Sequence, residues 1–204
     1  MKPQLASPAD LRPGQGSPRI LGALPSRRAI LKTAAAIPAM LAPALSMAGM
    51  PSDFWNVPRT VWLRRPATGE EIRATYFADG ALIEPEYQRV CWFLRDTHQG
   101  QAMYMSTVLL DILYAQGGWL RYFGLDRAAV TTSGARFPST NAATEGAAFN
   151  SKHQSGGAHD GYVPGISLES QQRLGTWLAG GGVGYYPSKN FCHLDDGRIR
   201  YWRG

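Results

Sequence analysis

Three side chains near the end of the chain have the types and order of a metal site. His153 and Asp160 sit in the run SKHQSGGAHD, and His193 follows in NFCHLD. Two imidazoles and one carboxylate can hold a zinc ion and leave its fourth position open, and open zinc sites do chemistry whereas closed four-ligand sites hold structure. Gly156-Gly157 lets the backbone turn tightly after His153 and bring Asp160 back beside it. If residues 158–162 form a strand, Ala158 and Asp160 share one face and His159 takes the other. On a strand through residues 191–195, His193 and Asp195 share a face and Cys192 points away. His153, Asp160 and His193 can then converge, with Asp195 close by. Against this stands the blander reading that a lone histidine is more often packed or exposed than a ligand. His98 has no acidic or histidine neighbour at ligand spacing and reads as structural. His159 reads as a surface residue, ahead of an extra ligand or an acid catalyst.

The elements that must position these residues follow from hydrophobic period and turn signals. Strands are expected at Thr60–Arg65 and Glu71–Phe77, joined by Pro66-Ala67-Thr68-Gly69, with a second turn at Ala78-Asp79-Gly80. A helix is expected over Glu84–Asp96, with Pro85 in its first turn and Tyr87, Val90, Cys91 and Leu94 at helical spacing. A second runs from Thr107 to Gln116, with Gly117-Gly118 as its stop. Short strands follow at Val130–Ser133 and Ala158–Tyr162, then a helix at Leu168–Leu178. A hairpin over Gly182–Tyr186 and Phe191–Asp195 turns through Pro187-Ser188-Lys189-Asn190, and Ile199–Trp202 forms an end strand. Helices and strands segregate rather than alternate, which predicts an α+β domain with a small, mainly antiparallel sheet and flanking helices.

The N-terminus carries a different signal. Ser26-Arg27-Arg28-Ala29-Ile30-Leu31-Lys32 reads as a twin-arginine export sequence, followed by an uncharged, mostly apolar stretch and the small-x-small pattern Ser46-Met47-Ala48. The stretch is short and rich in Ala and Pro, whereas a membrane span needs roughly 20 apolar residues; a plain N-terminal anchor or a chance arginine pair are the alternatives. Residues 1–48 are therefore read as a signal peptide, 49–58 as a linker and 59–204 as the domain, working in the periplasm. The charge follows the same division. Six of the 21 basic residues and one of the 15 acidic ones fall within residues 1–48, leaving 15 and 14. The basic excess that would point to nucleic acid thus leaves with the signal, and nucleic acid is not expected as a partner. The two cysteines, Cys91 and Cys192, lack the CxxC and CxxxH spacings of structural zinc sites. They read as small buried apolar residues rather than as a disulfide, although an oxidising compartment would permit one.

Three motifs in order, SGARFPSTN, HQSGGAHD and GGVGYYPSKNFCHLDDGRIRYW, resemble the YcbK/MepK group of murein endopeptidases, zinc metallopeptidases related to the D-alanyl-D-alanine carboxypeptidases. The similarity runs from about Arg59 to Trp202 and takes in TGEEIRATYF, the helix ending FLRD and the LLDILYAQ helix. It implies a fold like that of the hedgehog and DD-peptidase domains and a peptidoglycan stem peptide or cross-link as substrate. It also implies His153, Asp160 and His193 as zinc ligands and Arg136 as the group that polarises the scissile carbonyl or stabilises the oxyanion. Asp195 would orient the site or act as base on the zinc water, and Ser151 would support His153 from behind.

The chain also departs from the pattern. Asn190 stands where dipeptidase relatives place a glutamate base, and Ala135 replaces the tyrosine usual in the arginine motif. Gly157 and His159 replace larger, different residues, and the link from Ala142 to Lys152 is short. Two other functions therefore stay in view. One is a non-catalytic peptidoglycan-binding protein on the same fold, for which Asn190 speaks. The other is a mononuclear non-haem iron enzyme built on His193-x-Asp195, although there the distant histidine ordinarily follows the pair.

Overall fold

The computed structural model describes residues 4–5 and 53–204. Apart from Gln4–Leu5, the signal segment expected over residues 1–48, its cleavage point and the start of the linker lie outside them. Gln4–Leu5 (β1) pairs antiparallel with Ala102–Met103 (β5). The other strands are Arg59–Arg65 (β2), Glu70–Ala78 (β3), Ala81–Leu82 (β4), Ala129–Ser133 (β6), Ala158–Tyr162 (β7), Gly182–Tyr186 (β8), Phe191–Asp195 (β9) and Arg200–Arg203 (β10). They form one sheet in the order β10-β8-β9-β7-β6-β2-β3-β4. The α+β class is as expected and most pairings are antiparallel, but the sheet is not small. It has eight strands because β6 lies parallel to β2 and antiparallel to β7, fusing the N-terminal hairpin to the C-terminal strands.

Among the described residues four helices accompany it: Glu84–Phe93 (α1), Thr107–Tyr122 (α2), Pro138–Ala143 (α3) and Leu168–Leu178 (α4). α1 packs on β3, α2 on β2, and α4 on β8 and β9. None of the described helices is long and apolar enough to cross a membrane. The core joins Val61, Leu63 and Tyr76 of the sheet to Val90 of α1 and Leu109, Leu110 and Leu113 of α2.

Two helix ends differ from expectation. α1 stops at Phe93, because Asp96 turns away to pair with Gln101 and caps the amides of His98 and Gln99. α2 runs through Gly117-Gly118 to Tyr122. Here glycine serves packing, since a Cβ on Gly118 would meet the Phe54 ring at 2.7 Å. The Phe54 ring in turn packs tilted against Tyr114 of the same helix, centroids 4.8 Å apart, and the Phe54 carbonyl accepts the Tyr114 hydroxyl at 2.7 Å. Both cysteines are free and buried, in keeping with their reading as small core residues.

Strand parity divides the C-terminal half of the sheet into two faces. Cys192 Sγ donates to Leu168 O of α4 at 3.4 Å, and Leu194 lies close to Gly175 of α4. His193 and Asp195 therefore point the other way. On that face β8 presents glycines: Gly182 pairs with Asp195 and Gly184 with His193. A Cβ on Gly182 would press on Asp195 and Arg200, and one on Gly184 on the Trp202 indole.

The loop after β6 is equally tight. Ala135 N donates to Leu94 O at 2.8 Å, and a Cβ on Gly134 would fall inside the contact radius of that same backbone oxygen. Gly134→Ala should therefore lower unfolding stability by about 1–3 kcal/mol. The expected readout is a lower denaturant midpoint at unchanged slope.

Candidate metal centre

Ser151 and Gly156 frame a single 3-10 turn, Lys152–Ser155. Ser151 Oγ accepts the His153 amide at 3.4 Å, so it supports the turn that carries His153. Gly156 has φ +70° and ends the turn in the left-handed region, which glycine enters without penalty. A side chain at Gly157 would collide with Asp196. The two glycines thus return the chain into β7, as their spacing suggested. There Asp160 pairs directly with His193 of β9.

His153, Asp160 and His193 are all buried, and one potential ligand atom from each lies within 4.8 Å of the others. His153 Nε2 stands 3.2 Å from Asp160 Oδ2 and 3.3 Å from His193 Nδ1. His193 Nδ1 stands 2.7 Å from Asp160 Oδ1. The outer nitrogen of each ring has its own acceptor: Gly134 O at 2.5 Å for His153 Nδ1 and Asp195 Oδ2 at 2.9 Å for His193 Nε2. When those outer nitrogens carry the protons, the inner ones present lone pairs to each other and to the carboxylate. This tautomer control by a carbonyl or carboxylate behind the ring is the usual setting of metal-bound histidine. The donor set thus fits a divalent cation.

Charge around the cluster is balanced in layers. Burial alone would raise the Asp160 pKa, but the two histidines beside it hold the carboxyl well below its ordinary range. Burial pulls His193 down, and its bonds to Asp160 and Asp195 outweigh that and raise it. Asp195 is fully buried and heavily bonded. It accepts from Gly182 N at 3.2 Å, Gly197 N at 2.8 Å, and the Arg200 guanidinium at 3.0 and 2.7 Å, besides His193. Burial opposes its ionisation, yet these donors hold its pKa below the usual range. Arg136 comes from the loop after β6; its Nε donates to Ser133 Oγ at 2.9 Å and its NH2 to Asp160 Oδ2. A register shift between Thr131 and Ser133 sets Ser133 opposite Asp160.

Two expectations change here. His159 is buried, not on the surface, and contacts Thr131 Oγ1 at 3.0 Å on the face opposite Asp160. Burial lowers its pKa to about 3, which keeps the ring neutral. It lies there because Gly161, two residues on, leaves room for the ring; a Cβ on Gly161 would approach His159 Cε1 to 2.6 Å. Asn190 is exposed at φ +56° where the 3-10 turn Pro187–Lys189 ends, a left-handed position that asparagine tolerates well. Its identity therefore has a backbone cause. The pair His193-x-Asp195 does not form a facial triad, because Asp195 faces the far nitrogen of His193 rather than the cluster. Residues missed from sequence are Arg200, whose guanidinium braces Asp195, and Trp202, whose indole lies 5.2 Å from the His193 ring. Alternation along Arg200-Tyr201-Trp202 was the available signal, but it named no partner strand.

Residues 55–202 match the sequence model of a family described as Peptidoglycan L,D-endopeptidase MepK. The proteins of that name from Escherichia coli (strain K12) and Shigella flexneri are each 34% identical to this chain over 149 residues, which is 71% of this chain and 80% of theirs. A Haemophilus influenzae protein named probable peptidoglycan L,D-endopeptidase MepK is 31% identical over 152 residues, 72% of this chain and 80% of its own. No solved structure matches. With the family match spanning nearly all of the described domain, the chain belongs to the MepK family of peptidases.

Proposed function

We propose that the protein is a zinc-dependent endopeptidase that hydrolyses an L,D peptide bond in peptidoglycan stems or cross-links, in the periplasm, during cell-wall remodelling. The observation that carries this reading is the convergence of His153 Nε2, His193 Nδ1 and the Asp160 carboxylate in a member of this family. The names of the relatives support the substrate and favour an endopeptidase over a D,D-carboxypeptidase. Export through the twin-arginine route rests on Ser26–Lys32 and agrees with a wall substrate outside the cytoplasm.

Zinc held by these three residues would supply a Lewis acid and lower the pKa of a bound water to roughly 7. Around it the chain's own groups divide the work. Arg136, steadied by Ser133 Oγ, offers guanidinium N–H donors to the carbonyl oxygen of the substrate as negative charge develops there. Asp195, with both oxygens engaged by N–H donors, holds His193 in the tautomer whose Nδ1 faces the cluster. That saturation favours orientation over proton transfer as its role. Arg200 keeps Asp195 ionised and in place.

Digestion of purified cross-linked peptidoglycan by the zinc-loaded protein, read by separation of the muropeptides, should show loss of cross-linked species that a chelator abolishes. Absence of product would leave the peptidoglycan-binding reading in its place. The roles are separable by mutation. His153→Ala, Asp160→Ala and His193→Ala should each lose both bound zinc, read by elemental analysis, and activity; full zinc content in all three would sink the assignment. Asp195→Asn should lower activity or zinc affinity about 10–100-fold while the protein stays folded by circular dichroism.

A further inference from the structure

A cavity of about 170 Å³ opens beside the candidate centre. Ser133–Arg136 forms one wall, and this is the segment whose Gly134 carbonyl holds His153. Exposed Thr97, His98 and Thr132 stand among its lining residues, so it reaches solvent. Three arginines line it: Arg65, Arg95 and Arg136. Arg95 is neutralised by Glu70 through bonds of 2.9 and 3.0 Å, and Arg136 by Asp160. Asp96, the acid on the wall, spends its oxygens on the amides of His98, Gln99 and Phe137.

Arg65 differs from the other two. It is 3% exposed, forms no ion pair among the described residues, and donates through NH2 to Phe93 O at 3.0 Å. Its Nε is buried with no hydrogen-bond partner, and so is Oγ1 of Thr140, a residue that lines the same cavity. Burial and the neighbouring Arg95 lower the Arg65 pKa, and the nearby carboxylates Glu70 and Asp96 offset that only in part. A buried charge and a buried hydroxyl left unpaired are costly, and a carboxylate answers both, since it accepts from a guanidinium and a hydroxyl at once.

We propose that this cavity is a subsite for a free carboxylate of the substrate peptide, bound by Arg65 and Thr140 beside the scissile bond. The assignment rests on the endopeptidase reading above and specifies which substrates it favours: stem peptides with free carboxylates over those in which they are amidated.

The test uses the zinc-loaded full chain and two synthetic stem peptides that share the L,D bond. One carries its free carboxylates and the other has them as primary amides. Equilibrium dissociation constants and kcat/KM are measured for both, in wild type, Thr140→Val and Arg65→Met. Wild type should favour the acid by about tenfold or more, mainly through KM. Each variant should bring the ratio near one by weakening the acid alone. Thr140→Val is close to isosteric and removes a hydroxyl that bonds nothing, so it decides the matter even if Arg65→Met fails to fold. Equal constants for the two peptides in wild type, or an acid preference that survives in Thr140→Val, would overturn the subsite. If neither peptide is cleaved, the endopeptidase reading falls, while the ratio of dissociation constants still decides the subsite.

Discussion

Two imidazole nitrogens 3.3 Å apart, each facing a different oxygen of one carboxylate at 2.7 and 3.2 Å, are stable inside a protein only with positive charge among them. Much of the surrounding structure answers that constraint. Gly134 O and Asp195 take the outer protons of the two rings and so turn the inner lone pairs toward a common point. Arg136 donates to Asp160 Oδ2, the oxygen that also faces His153, and Arg200 does the same for Asp195. The alternation is histidine, carboxylate, guanidinium, each bonded to its opposite, with the open end directed at a place for a divalent cation.

Backbone geometry holds that network, and small residues make room for it. Asp160 and His193 meet because β7 and β9 pair in a register that puts them directly opposite, and a slip of one residue would send both to the α4 face. Gly182 and Gly184 clear the same face for Arg200 and Trp202. Gly156, at φ +70°, lets the 3-10 turn of His153 run straight into β7. Side chains that coordinate charge therefore come from short, tightly constrained strands, while the broad apolar core lies with α1, α2 and the N-terminal hairpin.

The parts legible in the sequence were those carried by local period. Parity along Ala158–Tyr162 and Phe191–Asp195 predicted which residues share a face, and Gly156-Gly157 predicted the reversal between His153 and Asp160. What failed depends on contacts distant in the chain. Gly117-Gly118 looked like a helix stop because nothing local announces Phe54, some sixty residues earlier, as the partner that needs the space. His159 looked exposed because its acceptance into the interior relies on Thr131 and on a glycine at 161. The helix Pro138–Ala143 was not expected, since PSTNAA has little apolar period. Arg200 stood inside the third motif without a role attached to it, and its meaning appears only when β10 lies parallel to β8.

The loop from β6 to α3 ties these layers to the proposed carboxylate subsite. In four residues, Ser133–Arg136, it supplies the acceptor for His153, the guanidinium for Asp160 and one wall of the cavity that Arg65 and Thr140 share. Its position is set from outside by Leu94 O, which accepts Ala135 N, and by Asp96, which accepts Phe137 N. α1 therefore ends where it does for a reason that reaches the chemistry: the residues just past its last turn grip the loop that orients both the candidate centre and the cavity. A peptide lying across the centre with a carboxylate in that cavity would touch one continuous piece of backbone at both places. Recognition of the charged group and orientation of the scissile carbonyl would then be set by the same few residues, which is how binding energy remote from the reacting bond is turned into alignment at it.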